Sequence, residues 1–215
     1  MATLLLPTTR AALWLQRRQV PALDAAVLSW QLDADLETPA RLQLALDLAA
    51  VQATLPALAP LARRRTPPAS VWLALGLGRM LALAMDADDS RRRFAGLVTG
   101  CGADYPADQP PRLQVHAAEA GLPQPVAPDA AVALELGLGR QLRALQLMTA
   151  SGPDGVVCTR AEAQVEGWAE AALPGRWVRL AGVDAALDGR YRVLASSRRF
   201  DGDQGLVTTL SLQRG

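Results

Sequence analysis

The sequence predicts a mainly β protein, built as two small antiparallel β-barrel domains with little helix. Three observations predict it. Apolar and polar residues alternate with period two in at least six segments. Glycine and proline, 17 and 15 residues, punctuate the chain between them. A linker over Gly121–Pro128, carrying Pro123, Pro125 and Pro128, divides the 215 residues into domains 1–122 and 123–215.

The elements follow in order. In Val27–Asp33, Leu28, Trp30 and Leu32 face one way and Ser29, Gln31 and Asp33 the other. In Arg41–Leu48, Leu42, Leu44, Leu46 and Leu48 alternate with Arg41, Gln43, Ala45 and Asp47. Both read as half-buried antiparallel strands. Ala49–Arg65 is rich in Ala and Leu, but Pro56 and Pro60 forbid one continuous helix, leaving a loop with at most a short helical turn. Val71–Leu77 and Met80–Asp86 read as a hairpin around Gly78-Arg79, and Phe94–Cys101 and Arg112–His116 as strands joined by a turn over Asp104–Pro111. Beyond the linker, Val132–Leu136 is a strand and Arg140–Met148 is open between helix and strand. Val156–Trp168 contains a strand, or else Thr159-Arg160-Ala161-Glu162 is a capping box opening a helix. Trp177–Leu180, Arg190–Ala195 and Leu206–Gln213 alternate as strands.

Two stretches match with gaps. Val71–Gly76, Phe94–Val98 and Leu113–Val115 echo Arg176–Gly182, Gly189–Val193 and Leu210–Leu212. Duplication of a small barrel and chance likeness both account for the match. Duplication puts Trp72 and Trp177 in equivalent places.

Half of the residues are apolar and the net charge is +1, which excludes a disordered chain and a nucleic-acid binder working through bulk charge. All 22 basic residues are arginine, and Lys, Ile and Asn are absent, as a GC-rich coding genome would produce. Cys101 and Cys158 form no C-x-x-C and read as free thiols in a reducing cytosol. Met1–Pro7 lacks a basic n-region and is too short for a signal peptide. Leu42–Ala62 carries Asp47, Pro56 and Pro60 and makes no membrane span. Cytoplasmic assembly is expected.

Signals for chemistry are poor. His116 is the single histidine and faces outward on its strand with Arg112 and Gln114, so neither a triad nor a zinc site can be assembled around it. Gly76-Leu77-Gly78 and Gly137-Leu138-Gly139 suggest phosphate loops, but Leu81 and Leu142 stand where the third glycine belongs. They read as turns. Asp86-Ala87-Asp88-Asp89 lacks the glycine and distal Glu of a calcium loop and adjoins Arg91-Arg92-Arg93. The arginine runs, Arg63-Arg64-Arg65 among them, have no interleaved aromatics for single-strand binding and suit subunit interfaces. No catalytic, cofactor-binding or metal residue is assigned, and no enzyme activity is expected.

Arg93-Phe94-Ala95-Gly96-Leu97-Val98-Thr99, then Asp104-Tyr105-Pro106 and Pro110-Pro111-Arg112-Leu113-Gln114-Val115, resemble the baseplate hub family of contractile tails, which includes the phage late control D proteins and the N-terminal part of VgrG spikes. Val165-Glu166-Gly167-Trp168, Leu173–Gly182, Leu187–Val193 and Gly205–Leu212 with Arg214 look like the same family's later motifs, in order. Larger hubs carry an insertion where Trp168 passes into Leu173, and here only Ala169–Ala172 remain. The resemblance implies a minimal hub: a homotrimeric ring of two barrels per chain that adapts a hexameric inner tube to a trimeric spike. Its implied partners are itself, a spike protein, an inner tube or tube-initiator protein and other baseplate components, within the baseplate of a phage tail or phage tail-like particle. Neither nucleic-acid binding nor membrane insertion is expected. The polar strand faces (Ser29, Gln31, Asp33; Arg41, Gln43, Asp47; Arg190, Arg192) are candidates for a channel wall or polar rim. A tube-initiator or distal-tail adaptor with the same barrel is the alternative, and a small hydrolase or ligand-binding barrel a third class.

Overall fold

The computed structural model describes residues 11–54, 75–85, 92–121, 132–137, 141–151, 157–167, 169, 172–185, 187–202 and 205–215. The chain divides into two compact units, Met1–Trp30 with Arg41–Ala120 and Gln31–Ala40 with Gly121–Gly215. Among the described residues there are thirteen strands and two short helices, so the class is mainly antiparallel β.

The first unit opens with β1 (Ala11–Leu15), β2 (Arg18–Gln19) and the helical turn α1 (Pro21–Asp24). Gln16 and Arg17 make the β1–β2 turn with φ of 52° and 66°, the left-handed pair that a two-residue hairpin needs and that Asn-Gly adopts more cheaply. Asp24 ties α1 to this hairpin: its carboxylate accepts from the Leu13 N–H at 2.6 Å and from Gln19 Nε2 at 3.1 Å. Next comes β3 (Val27–Asp35), whose residues from Gln31 onward group with the second unit. On β4 (Arg41–Asp47) Leu42, Leu44 and Leu46 are buried, as the alternation predicts. Leu48 does not continue the strand. It begins α2 (Leu48–Ala53), because Asp47 turns the chain by accepting from the N–H groups of Ala49 and Ala50.

The remaining strands of this unit are β5 (Met80–Met85), β6 (Arg92–Asp104) and β7 (Arg112–Ala118), in the spatial order β2-β1-β5-β6-β7-β4. The expected strand Val71–Leu77 is not present over its described part, since residues 75–79 form a turn; Val71–Ala74, Trp72 included, lie outside the described residues.

The second unit holds β8 (Val132–Gly137), β9 (Leu142–Ser151), β10 (Val157–Glu166), β11 (Trp177–Ala181), β12 (Gly189–Asp201) and β13 (Gly205–Arg214). Their order is β8-β11-β12-β13-β10-β9, antiparallel throughout except for the parallel β8–β11 pair. Arg140–Met148, open in the sequence, is strand from Leu142 onward. The capping-box helix at Thr159 is not formed. Arg160 to Val165 pair with β13 on one side and β9 on the other, and Ala161, Ala163 and Val165 point into the core with Val193, Leu210 and Leu212. Two flanking ladders and an apolar face outweigh a four-residue capping pattern. Among the described residues the pairings in neither unit return to their starting strand, so the ring closure of a barrel is not among them.

Candidate interaction surface

In strand order, bulge and turn, the two units repeat one another over four strands each. The order β5-β6-β7-β4 recurs as β11-β12-β13-β10. In each, one 13-residue strand carries a bulge against its neighbour, after Val98 in β6 and after Val193 in β12. These are the two valines that the sequence match pairs. Each valine is clasped by a Gly-Arg turn. Gly78 donates to the Val98 carbonyl at 2.8 Å, and Val98 donates to the Arg79 carbonyl at 2.8 Å. Gly175 donates to Val193 at 2.8 Å, and Val193 donates to Arg176 at 2.9 Å. Both glycines take left-handed φ, 75° and 86°, which a side chain would oppose. Four backbone bonds and two bulges thus stand in matching places, as the duplication reading requires.

The same geometry corrects the register of the repeat. The residue after each clasp is Met80 in one unit and Trp177 in the other, so Met80, not Trp72, stands where Trp177 does. From the ladders, Ala117 answers to Leu212 and Val115 to Leu210, two residues away from the sequence match. Tryptophan was the wrong anchor. The conserved feature of the two halves is backbone geometry, carried by Gly-Arg and a valine.

Aromatic volume is exchanged between the halves. Phe94 and Gly96 face Leu83 and Leu81, and Gly189 and Tyr191 face Leu180 and Val178. One half therefore has aromatic then glycine, the other glycine then aromatic. A Cβ on Gly96 would lie 2.6 Å from Phe94 Cζ, so the ring occupies the space the glycine leaves. Tyr191 is fully buried, and its hydroxyl donates to the Leu187 carbonyl at 2.8 Å.

Three side chains to which the sequence analysis gave no role act as anchors: Arg198, Thr208 and Asp188. Arg198 is 1% exposed. Its guanidinium donates to the carbonyls of Ala169 and Ala172 at 3.2 and 3.0 Å and to Ser196 Oγ at 3.0 Å. It thereby pins the connection between β10 and β11 at Ala169 and Ala172. Thr208 adds a bond from Oγ1 to the Gly167 carbonyl at 2.7 Å. Asp188 organises the β11–β12 connection by accepting from the N–H groups of Gly182, Val183 and Asp184. Those bonds hold its carboxyl below the ordinary carboxylate value.

The residues weighed for chemistry are not brought together. His116 is exposed, opposite Gln43 and against Gly100. Cys101 and Cys158 are free and half-buried, one in each unit, and burial pushes the Cys101 thiol up, away from reactivity. Gly76–Gly78 is a turn, as expected. Gly139, Asp86–Asp89, Arg63–Arg65 and Arg91 lie outside the described residues. Among the described residues no three metal-ligating side chains gather, and no helix is long and apolar enough to cross a membrane.

The polar faces are formed. Gln31 donates to both carboxylate oxygens of Asp33 at 3.0 and 2.9 Å, and Arg41 and Gln43 are exposed. The register sets Gln43 beside His116 and Asp47 beside Arg112. In the second unit Arg179 stands directly opposite Arg190, and Arg192 lies between Trp177 and Gln213, with Arg160 beyond. The Arg190 guanidinium lies 4.9 Å from the centre of the Trp177 ring.

No family model and no curated protein matches the chain. Solved structures do. A tail protein from Neisseria meningitidis MC58 superposes with a TM-score of 0.61 at 7% identity, over 95% of this chain and 96% of that one. The 43 kDa tail protein of prophage MuSo2 from Shewanella oneidensis gives 0.57 at 9% identity, over 96% and 97%. This chain has the fold found in those phage-type tail proteins, over nearly its whole length.

Proposed function

We propose that the protein is a structural component of a phage tail or contractile injection system, and within it the baseplate hub: a homotrimeric ring that joins a hexameric inner tube to a trimeric spike. The observation that carries this reading is the duplication. Two like units in one chain let three chains present six like positions, which is what a ring needs to meet a six-fold tube on one side and a three-fold spike on the other. The tail-protein fold supports it, as does the run of hub-like motifs. The role is non-enzymatic, the partners are other copies of the chain, spike, tube and baseplate proteins, and the place of work is the baseplate of a tail-like particle. The polar faces around Gln43 and His116 and around Arg190 and Arg192 are candidates for the channel wall or its rim.

Electron microscopy of the assembled particle, with native mass measurement of the purified chain, tests the proposal. Three copies in one layer beneath the tube are expected. Six copies per ring would instead support a tube-initiator, and a stable monomer absent from any particle would overturn the tail role.

A further inference from the structure

The repeat includes a fifth strand, and the two fifth strands are used differently. β3 follows β4 outward as β9 follows β10, so the order β5-β6-β7-β4-β3 recurs as β11-β12-β13-β10-β9. β3 has a strand on each side, β4 and β12; its residues from Gln31 onward belong to the second unit, as β12 does. β13 takes one edge of β12 over Tyr191–Asp201. On the other edge β11 covers Gly189–Arg192, the clasp follows at Val193, and the stretch beyond remains for β3. In the first unit β7 takes one edge of β6 over Leu97–Asp104. On the other edge β5 covers Arg92–Leu97 and the clasp follows at Val98. Beyond that clasp no described strand lies along Cys101–Asp104, and none lies outside β9.

The β3–β12 pairing thus fills two edges whose counterparts, β9 and the far part of β6, are open among the described residues. Burial follows the same split. Ser196 and Arg198 on β12 are 2% and 1% exposed, whereas Cys101 and Ala103, in the same places on β6, are half-buried. Trp30 and Leu32 on β3 are buried, whereas the core-facing Leu145 and Leu147 of β9 are half-buried. The hydrogen-bonding phase agrees. Glu166 donates to the Gln141 carbonyl at 3.1 Å, and counting along the ladder from there turns the N–H and C=O groups of Leu145, Leu147 and Thr149 away from β10. The clasp bonds of Val98, with the bulge after it, turn those of Cys101 and Ala103 away from β7. A long, uncharged strand edge is a template for another chain. β9 has ten residues, no proline and one charge, Arg143, which Glu166 engages at 2.9 Å.

We propose that β9 of one copy pairs with Cys101–Asp104 of β6 in a second copy, repeating between chains the pairing that β3 makes with β12. The two edges differ, so the contact is heterologous: each copy offers one of each, and copies joined this way close into a ring where the rotation allows. The inference deepens the proposed homotrimeric ring, on which the number of copies rests, by naming its joint. Pairing of β9 with β9 of a second copy fits less well, because it leaves the β6 edge open.

The test is disulfide cross-linking of the full chain. Leu145→Cys, Leu147→Cys and Thr149→Cys are made singly in a Cys158→Ser background, so that Cys101 is the one other thiol. On oxidation by air with copper phenanthroline, at least one should give covalent oligomers that Cys101→Ser abolishes. In parallel, Thr149→Pro removes an outward N–H without touching the β9–β10 ladder, and self-association by sedimentation should weaken roughly tenfold or more. Leu77→Ser, at a leucine 73% exposed, should leave it unchanged. If Thr149→Pro fails to fold by far-UV circular dichroism, Ala103→Pro on the β6 edge takes its place with the same expectation. The inference is overturned by a chain that stays monomeric, by no cross-link through Cys101, or by cross-links that persist in Cys101→Ser. A Cys101 disulfide confined to one chain, or equal dispersal by Leu77→Ser, overturns it too. The tail role fails separately, on particle composition and ring stoichiometry: a three-fold ring linked through other residues would keep that role and remove the joint.

Discussion

Gly96→Ala isolates the packing of the Phe94–Val98 motif in a single methyl group. Gly96 is buried on β6 and its φ lies outside the left-handed region, so alanine meets no backbone penalty there. The added Cβ would stand 2.6 Å from the Ala118 carbonyl carbon and closer still to its oxygen, besides the contact with Phe94 Cζ. The ring can rotate away, but the carbonyl cannot. Ala118 is held in register with Leu97 on one side and Arg41 on the other, so relief requires opening the β6–β7 ladder. Overpacking of this kind costs about 1–3 kcal/mol, and replacing a strand glycine returns about 0.5–1 kcal/mol, for a net loss near 1–2 kcal/mol. In a chain of this size that is a fall of roughly 2–8 °C in melting temperature. Gly102→Ala, on the same strand with nothing within 4 Å of its Cβ, is the control and should be neutral or slightly stabilising. Thermal and urea unfolding followed by far-UV circular dichroism read both variants. A Gly96→Ala protein as stable as the wild type would refute the reasoning, and so would equal losses at both positions.

Arg198→Met keeps much of the side-chain volume but leaves the Ala172 carbonyl without its donor, and should cost about 2 kcal/mol by urea unfolding; an unchanged midpoint would show that the clamp is idle. Replacing Gln16-Arg17 by Asn-Gly should raise stability by about 1–2 kcal/mol, because both positions have positive φ, and a loss would mean that the original side chains make contacts the turn needs. Asp188 has its folded-state pKa lowered by three backbone N–H groups, the Gly182 bond first. Its stabilisation is therefore complete above the unfolded carboxylate value of about 3.9 and is lost as pH falls through the lower folded value. Unfolding midpoints taken from pH 6 down to pH 2 should decline more steeply for the wild type than for Asp188→Asn, and parallel profiles would remove Asp188 from the loop's acid response.

What the sequence made legible is set by the reach of a period-two pattern. Leu42, Leu44 and Leu46 on β4 alternate with Arg41, Gln43 and Asp47, and the strand and its inner face follow directly; on β10 Ala161, Ala163 and Val165 alternate too, but the capping pattern at Thr159 left that segment open between strand and helix. Arg198 was hidden by the bulge after Val193. Counting in twos from buried Tyr191 and Val193 puts Arg198 on the outside, and one extra residue reverses the phase so that Ser196 and Arg198 point inward. The duplication was visible, but tryptophan drew the match to the wrong register. The Gly-Arg clasp is two residues long, and its meaning lies in hydrogen bonds to a valine about twenty residues away. The helical turn α1 and the β1–β2 hairpin had no signal, since positive φ at Gln16-Arg17 is not what those residue types announce.

The divergence of the repeats bears on how a ring of such chains would be built. Identical units would give an exact six-fold ring and leave a three-fold spike with no way to choose among equivalent seats. Here the shared part, β4 to β7 and β10 to β13, keeps its strand order, bulges and clasps. The flanks differ: β1 runs antiparallel to β5, whereas β8 runs parallel to β11. The outward face differs as well, with Leu97 in one unit where Arg192 stands in the other. Under the proposed function, common features would then satisfy the six-fold partner and divergent ones the three-fold partner. It follows that substitutions at Val98 and Val193 should impair both junctions together, while substitutions at Arg192 and Leu97 should separate them. A particle in which reversing Arg192 released tube and spike to the same extent would break this division of labour.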